Sequence, residues 1–512
     1  MVNVREASFA VFKHFGVDRL FGNPGSTELP MLKAMPFPYV MGLNEAVVMG
    51  MADGYARSTG RPALVNLHSS AGTGHSLGNL FTAWKNNAPV VVTAGQQARS
   101  ILPYDPFLFA DRPTEFPRPF VKYAIEPARA EDVPLALARA FAIALTPPMG
   151  PVFVSVPVDD WERECEMPAL PDLSLRTLAH PCGLERVAAM LDGARNPALV
   201  IGTGVANAGG WDASIALAEQ AGLSVYSAPY AAREIFPEDH PQFSGFLNAW
   251  RDQIRASLAS HDAILVVGAP VFTYHVEGSG PHWPEGAVLM SISDDPQHLA
   301  NLPGGGGVLG DPASAMASLA GMVAPREFGG VRHKLIDPAA EMTAAYVLSR
   351  VAAMRPRDAV VVEEAPTARG PEHLTLPITR EGGFYTCASG GLGYSLPGAL
   401  GVAMGQSDKV IAILGDGAAM YTIQGLFTAF QERLPISFLI LNNAAYAALT
   451  GFSGEFGMNH VPGCDLTGLD FVMMAEGMGI DARRVESVDA LDAALAWSFA
   501  AGEPTLLDLR IA

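Results

Sequence analysis

Two short strings carry the first chemical signal in this chain. Gly415-Asp416-Gly417 ends the apolar run Val410–Leu414, and about two dozen residues later Asn442-Asn443 ends a second apolar run, Ile436–Leu441. Two parallel strands joined by a crossover helix over Tyr421–Gln431 would set Asp416 and Asn443 side by side at strand carboxyl ends, where ligands gather in open α/β sheets. Carboxylate and amide oxygens are hard ligands suited to Mg²⁺ or Ca²⁺, and the glycines let backbone N–H groups approach phosphate oxygens. The pair therefore reads as a metal–diphosphate anchor. Asp-Gly alone is a common turn, so the signal lies in the two strand ends together.

Four further residues could move protons, and each also has a plainer reading. Glu45 stands in LNEAVVMGMADGYA, with apolar Val48, Met49 and Ala52 at helical spacing. That pattern predicts a partly buried carboxylate able to share a proton with a heterocyclic nitrogen, or else an ordinary carboxylate at a helix N-terminus. Ser26, at the tip of Asn23-Pro24-Gly25-Ser26, could simply cap a helix. His68, at a strand end before Ser69, could be a satisfied core histidine, and His275, in GAPVFTYH, a loop residue. Histidine's ordinary titration near neutrality suits either one for acid–base work.

The elements that must position these groups are those of a large α/β protein. The chain has 512 residues, 49% hydrophobic and 17% charged, with 52 glycines, which is too long for one core and too apolar for disorder. A net charge of −19 argues against duplex nucleic acid or an anionic membrane as partner, and no 18-residue uncharged apolar run marks a membrane span. Cys165, Cys182, Cys387 and Cys464 lie far apart without metal-ligand spacing, so free thiols in a reducing cytoplasm are expected. Strands are expected at 19–22, 63–67, 90–94, 151–157, 198–202, 263–268, 288–293, 359–363, 410–414, 436–441 and 505–511, alternating with helices as in parallel sheets. Pro-rich or charged stretches at 159–181 and 324–337 read as linkers, leaving units at 1–165, 183–323 and 338–512. Gly202-Thr203-Gly204 meets Asn207 where a dinucleotide fingerprint needs its third glycine, so a tight strand-to-helix turn is expected there. Gly304–Gly307 reads as a flexible loop.

The GDG and NN strings resemble the diphosphate-binding signature of thiamine-diphosphate (ThDP) enzymes. The context Glu45, Gly50, Ala52, Gly54 and Tyr55 resembles that family's glutamate motif. Within it, FGNPGSTELP (21–30), NLHSSAGTG (66–74), VTAGQQAR (92–99), GAPVFTYH (268–275) and ASGGLGYSLPGALGV (388–402) are similar to the benzoylformate decarboxylase family, in the same order along essentially the whole chain. A single histidine at 68, followed by Ser69, separates it from the His-His pair of pyruvate decarboxylases.

The resemblance implies three doubly wound parallel-sheet domains: pyrimidine-binding, middle and diphosphate-binding, with the outer two alike. It implies Mg²⁺ (or Ca²⁺) on Asp416, Asn443 and the carbonyl of Ala445. Thr367, Gly417, Ala418 and Tyr446 would surround the diphosphate, Gly390 would offer its carbonyl to the aminopyrimidine, Leu392 would prop the coenzyme's bend, and Glu45 would share the N1′ proton. Ser26 would bind the substrate carboxylate, His68 assist at addition, and His275 assist at protonation or release. Phe107, Leu108, Phe109, Pro366, Thr386, Ala448, Leu449 and Phe452 would line the aryl pocket. Pro366 stands where a threonine is usual and Thr386 where a phenylalanine is, which would leave room for a larger or para-substituted ring. Ala418 and Ala445 replace hydroxyl residues. The implied reaction is non-oxidative decarboxylation of an aryl 2-keto acid to the aldehyde and CO₂, with carboligation as a side activity. The implied assembly is a homodimer completing each site, and a tetramer of two dimers. The competing readings are an acetolactate-synthase-like ThDP enzyme and a non-catalytic ThDP-binding protein.

Overall fold

The computed structural model describes residues 1–512, the side chain of Glu455 excepted. Runs of Val, Ile, Leu and Ala buried on both faces build three six-stranded sheets in which every neighbouring pair is parallel. The first sheet holds β1 (Leu20–Gly22), β2 (Tyr39–Met41), β3 (Ala63–Leu67), β4 (Val90–Gln96), β5 (Ala124–Ile125) and β6 (Val152–Pro157). The second holds β7 (Pro197–Ile201), β8 (Ser224–Ser227), β9 (Phe243–Phe246), β10 (Ala263–Val267), β11 (Val288–Ser293) and β12 (Gly306–Leu309). The third holds β13 (Val360–Glu364), β14 (Phe384–Tyr385), β15 (Val410–Gly415), β16 (Ile436–Asn442), β17 (Asp481–Val485) and β18 (Thr505–Arg510).

The order is β2-β1-β3-β4-β6-β5 in the first sheet and β14-β13-β15-β16-β18-β17 in the third, the same winding twice. The middle sheet runs β9-β8-β7-β10-β11-β12, the doubly wound order of nucleotide-binding folds. Its Gly202 is the cap of a five-residue helix, Thr203–Asn207, so the glycines there make a tight turn.

Helices α1 (Glu45–Thr59), α2 (Ser69–Lys85), α3 (Arg369–Thr375), α4 (Ser395–Gly405) and α5 (Asp416–Met420) carry most of what matters for function. One continuous apolar cluster, from Phe21 and Tyr55 through Leu400 to Phe438, joins the first and third units, while the middle unit has its own. The join is made by α1 against α4 at backbone distance: a Cβ on Gly54 would lie 2.2 Å from the Gly398 carbonyl oxygen. The glycines of both motifs thus serve helix packing. Arg57, on α1, ties all three units together. It donates to Asp53 in its own helix, to the Ala232 carbonyl in the middle unit, and to Tyr394 Oη (2.7 Å) and the Thr386 carbonyl (3.0 Å) in the third.

Three expectations need correction. The helix expected over 421–431 forms only at Gly425–Gln431; 421–424 is a turn that separates it from α5, and there Thr422 Oγ1 donates to the Gly393 carbonyl (3.1 Å). Gly306 and Gly307, expected in a loop, belong to edge strand β12 paired with β11. The stretch 159–181 contains Glu164–Cys165, which pairs antiparallel with Val2–Asn3. Among the described residues no helix is long and apolar enough to cross a membrane.

Candidate active site

Because β15 and β16 are neighbours in register (Gly415 opposite Leu441), the chain leaves both strands at one point, and Asp416 and Asn443 meet there. They face a cavity of ≈ 460 Å³. Asp416 Oδ1 accepts the Gly417 N–H (2.7 Å), but its Oδ2 is buried without a hydrogen-bond partner among the described residues. Burial raises the pKa of this carboxyl, against the opposing backbone N–H groups of Gly417, Ala444, Ala445 and Asn443. Asn443 Oδ1 accepts the Ala445 N–H (3.1 Å). One carboxylate oxygen with nothing to bind, beside an amide oxygen and a backbone turn, is a donor set that fits a small hard cation. Gly417 must be glycine here, since a Cβ would stand 2.2 Å from the Tyr446 ring.

Around this corner the cavity is lined by Gly390, Leu392, Thr367, Ala418 and Tyr446, with Ala445 beside Asn443. Pro366, Ala448, Leu449, Phe452 and His275 line it as well. Sequence reasoning missed Ala344, Tyr421, Leu441 and Ile511, which also line it. They carry no motif, and only the fold brings them there. Thr386 is elsewhere: it is buried, donates to Glu363 Oε2 (3.0 Å) and accepts from Arg369 (2.9 Å), and it lines a neighbouring cavity.

A second cluster belongs to the first unit. Glu45 opens α1 behind the Asn44 cap and is 7% exposed. Its Oε1 accepts from Asn23 Nδ2 (3.2 Å) and its Oε2 meets His75 Nδ1 (3.1 Å). His68, at the start of α2, turns Nδ1 to Glu28 Oε2 (2.9 Å) and to Thr27 Oγ1 (3.1 Å). Glu28 is buried and also accepts the Gly25 N–H (3.0 Å) and the Thr27 hydroxyl. A Cβ on Gly25 would lie 2.1 Å from His68 Nδ1, so the NPGS glycine is what admits the ring. Ser26 is exposed beside them, and its geometry is a 3-10 turn rather than a side-chain cap. Glu28 was within a quoted motif yet unmarked, because nothing in the spacing shows that it will meet His68.

Phe107, Leu108 and Phe109 also belong to the first unit. The Leu108 carbonyl accepts from Ser69 Oγ (2.6 Å), while Phe107 is exposed. None of Ser26, Glu45, His68 or 107–109 lines the Asp416 cavity, whose walls come from His275 and from 344–512. His275 reaches it from the middle unit, with Nδ1 on Tyr230 Oη (2.9 Å) and its ring edge-on to Phe452 (4.8 Å).

Comparison with known proteins agrees with this division. Residues 2–109, 184–319 and 372–509 match, in order, the N-terminal TPP binding, central and C-terminal TPP binding domains of thiamine pyrophosphate enzymes. A benzoylformate decarboxylase of Pseudomonas aeruginosa is 39% identical over 99% of both chains. Among solved structures, benzoylformate decarboxylase from Polynucleobacter necessarius superposes with TM-score 0.97 (35% identity, 100% of this chain and 99% of that one). The thiamine diphosphate-dependent 4-hydroxybenzoylformate decarboxylase of Rhodococcus jostii RHA1 gives 0.96 (37% identity, 100% and 99%). Two TPP binding units with one winding, around a middle unit with another, run end to end in step with these decarboxylases, and the chain belongs to the benzoylformate decarboxylase family of thiamine-diphosphate-dependent enzymes.

Proposed function

We propose that this protein is a carboxy-lyase that converts an aryl 2-keto acid, benzoylformate or a close analogue, to the aldehyde and CO₂, with carboligation as a side activity. The carrying observation is the mixed lining of one cavity: an orphaned Asp416 oxygen fit for a hard cation, together with the apolar side chains of Pro366, Ala448, Leu449 and Phe452. When bound, ThDP supplies a carbon nucleophile and a sink for the electron pair released with CO₂. The chain's own residues do the rest. Asp416, Asn443 and the Ala445 carbonyl hold Mg²⁺ or Ca²⁺ and so anchor the diphosphate, with Thr367, Gly417, Ala418 and Tyr446 around it. Gly390 and Leu392 orient the coenzyme, and Glu45 holds a proton against its ring nitrogen. Ser26 binds the substrate carboxylate. His68 and His275 shuttle protons from the substrate's two sides. The apolar side chains exclude water and receive the aryl group, with Phe107, Leu108 and Phe109 closing over it.

Glu45, Ser26 and His68 sit outside the Asp416 cavity of their own chain, which supports a homodimer in which one protomer's first unit covers its partner's third, and a tetramer of two such pairs. The free cysteines suit a reducing cytoplasm. Units at 1–165 and 338–512 would carry the two halves of the site and 183–323 the wall with His275.

The test is turnover with ThDP and Mg²⁺, measuring CO₂ and aldehyde from benzoylformate and from pyruvate; faster pyruvate turnover, or acetolactate as product, overturns the reading. A complementation assay tests the shared site. Glu45→Gln and Asp416→Asn, each nearly inactive alone, should recover roughly a quarter of wild-type activity after subunit exchange, since half the dimers are mixed and one of their two sites is intact. No recovery, with exchange verified, refutes it.

A further inference from the structure

A second cavity, of ≈ 230 Å³, lies at the seam between the middle and third units, where β8 and β9 end against α3. It shares only His275 and Phe452 with the cofactor cavity. Its polar groups are matched to an anion. Arg369 gives Nε and Nη2 to Glu363 (3.2 and 2.6 Å) and Nη2 to Thr386, leaving Nη1 without a partner among the described residues. One turn along α3, Glu372 is 3% exposed and its Oε1 is buried with no hydrogen-bond partner among the described residues.

Burial first, and then Glu363, holds the Glu372 carboxyl well above the usual carboxylate range, against Arg369 and Arg355, which favours its protonated, O–H-donating form. Burial likewise pushes Glu238 up to about 8. Arg369 is offset by Glu363, and nearby Arg355, whose one side-chain hydrogen bond among the described residues goes to the Pro377 carbonyl, adds a further positive charge beside Glu238 and Glu372. Phe246, Trp250 and Phe384 supply aromatic walls. A purely apolar occupant would leave Glu372 orphaned, a cation would meet two guanidinium groups, and a nucleotide exceeds the volume.

We propose that the seam cavity binds a small aromatic carboxylate, its carboxylate between Arg369 Nη1 and the Glu372 carboxyl and its ring among Phe246, Trp250 and Phe384. Occupancy reaches the active site through the shared wall: Tyr230, held at φ 58° where a side chain is strained, presents its hydroxyl to His275, whose ring packs on Phe452. This coupling, unlike the binding, rests on the function proposed above.

Crystals of the ThDP–Mg²⁺ holoenzyme soaked with 4-bromobenzoate should show an anomalous bromine peak in the seam cavity, and bromobenzene should give none. No peak there, or an equal peak from bromobenzene, overturns the proposal. In solution, calorimetric titration of the holoenzyme with benzoate should show seam binding that Glu372→Leu weakens about tenfold, through loss of one charge-assisted hydrogen bond. Gly370→Phe should abolish it: this residue lines the cavity, and a Cβ there meets no atom within 4 Å. Binding in the crystal alone, or titrations identical in both folded variants, also overturns it. If instead the bromine peak is present but benzoylformate is not decarboxylated, the seam site stands and the active-site reading fails.

Discussion

Replacing Asp416 with asparagine should move stability and cofactor binding in opposite directions. Oδ1 already accepts the Gly417 N–H at 2.7 Å, and asparagine keeps that bond. Oδ2 is buried with no partner among the described residues, and burial has raised the carboxyl's pKa, so the ionised group is a cost to the free protein. An unsatisfied buried polar atom costs about 1–3 kcal/mol, and removing the charge should return about 1 kcal/mol of it, or about 2–4 °C in a unit of this size. Ligand present at a hundred times its Kd stabilises a protein by about 2.7 kcal/mol, or about 5–10 °C here, and the variant should lose that gain with its cation ligand. The assay is thermal unfolding of both proteins with and without saturating ThDP and Mg²⁺. The free variant should melt at or above the free wild type, and the loaded variant below the loaded wild type. A free variant destabilised by several degrees, or one that keeps the full ligand-induced rise, refutes the assignment of Asp416 as a site kept strained for its ligand.

Glu28→Gln should lower kcat/KM about tenfold and shift a limb of its pH profile, because the carboxylate that orients His68 at 2.9 Å is lost; an unchanged profile would make the contact structural only. Arg57→Leu should cost about 3–5 kcal/mol in urea unfolding by leaving the buried Asp53 carboxyl without its cation, and adding Asp53→Asn should recover part of it; a loss under about 1 kcal/mol contradicts the network's role. Glu364 accepts the Gly393 and Ser395 N–H groups behind Leu392, and burial pushes its pKa up to about 7 from 4.5. Its contribution to stability, roughly 3 kcal/mol, is therefore complete below about 4.5 and lost as pH rises through about 7. Glu364→Gln should flatten the melting-temperature profile over that window, and an unaltered slope would count against it.

What could be read from sequence followed burial on both faces. The strands Ala63–Leu67 and Val288–Ser293 are legible to the residue because they are short, mostly apolar segments, almost wholly buried inside parallel sheets. All six edge strands escaped notice, together with β8. Tyr39–Met41, Ala124–Ile125 and Phe384–Tyr385 are only two or three residues long, and Asp481–Val485 buries only Val485 among charged neighbours. Gly306–Leu309 hides in a glycine run. An edge strand pairs on one side, so its side chains need not be apolar, and the periodic signal fades.

The same limit governs the site. Asp416 and Asn443 could be placed because each follows its own strand and the two strands are neighbours, so local pattern fixes global position. The Glu28–His68 contact spans two loops, and the Thr386–Glu363–Arg369 contact depends on how α3 lies against β13 and β14, which no spacing encodes. Thr386 therefore does not leave an empty place in the aryl pocket: its hydroxyl completes an ion pair in the wall of the seam cavity. Position 386 carries a hydrogen-bonding group, and its consequence falls on the seam. On the proposed function, selectivity for the aryl group should be set jointly by Ala448, Leu449 and Phe452, which line the Asp416 cavity, and by the polar seam that shares His275 and Phe452 with it.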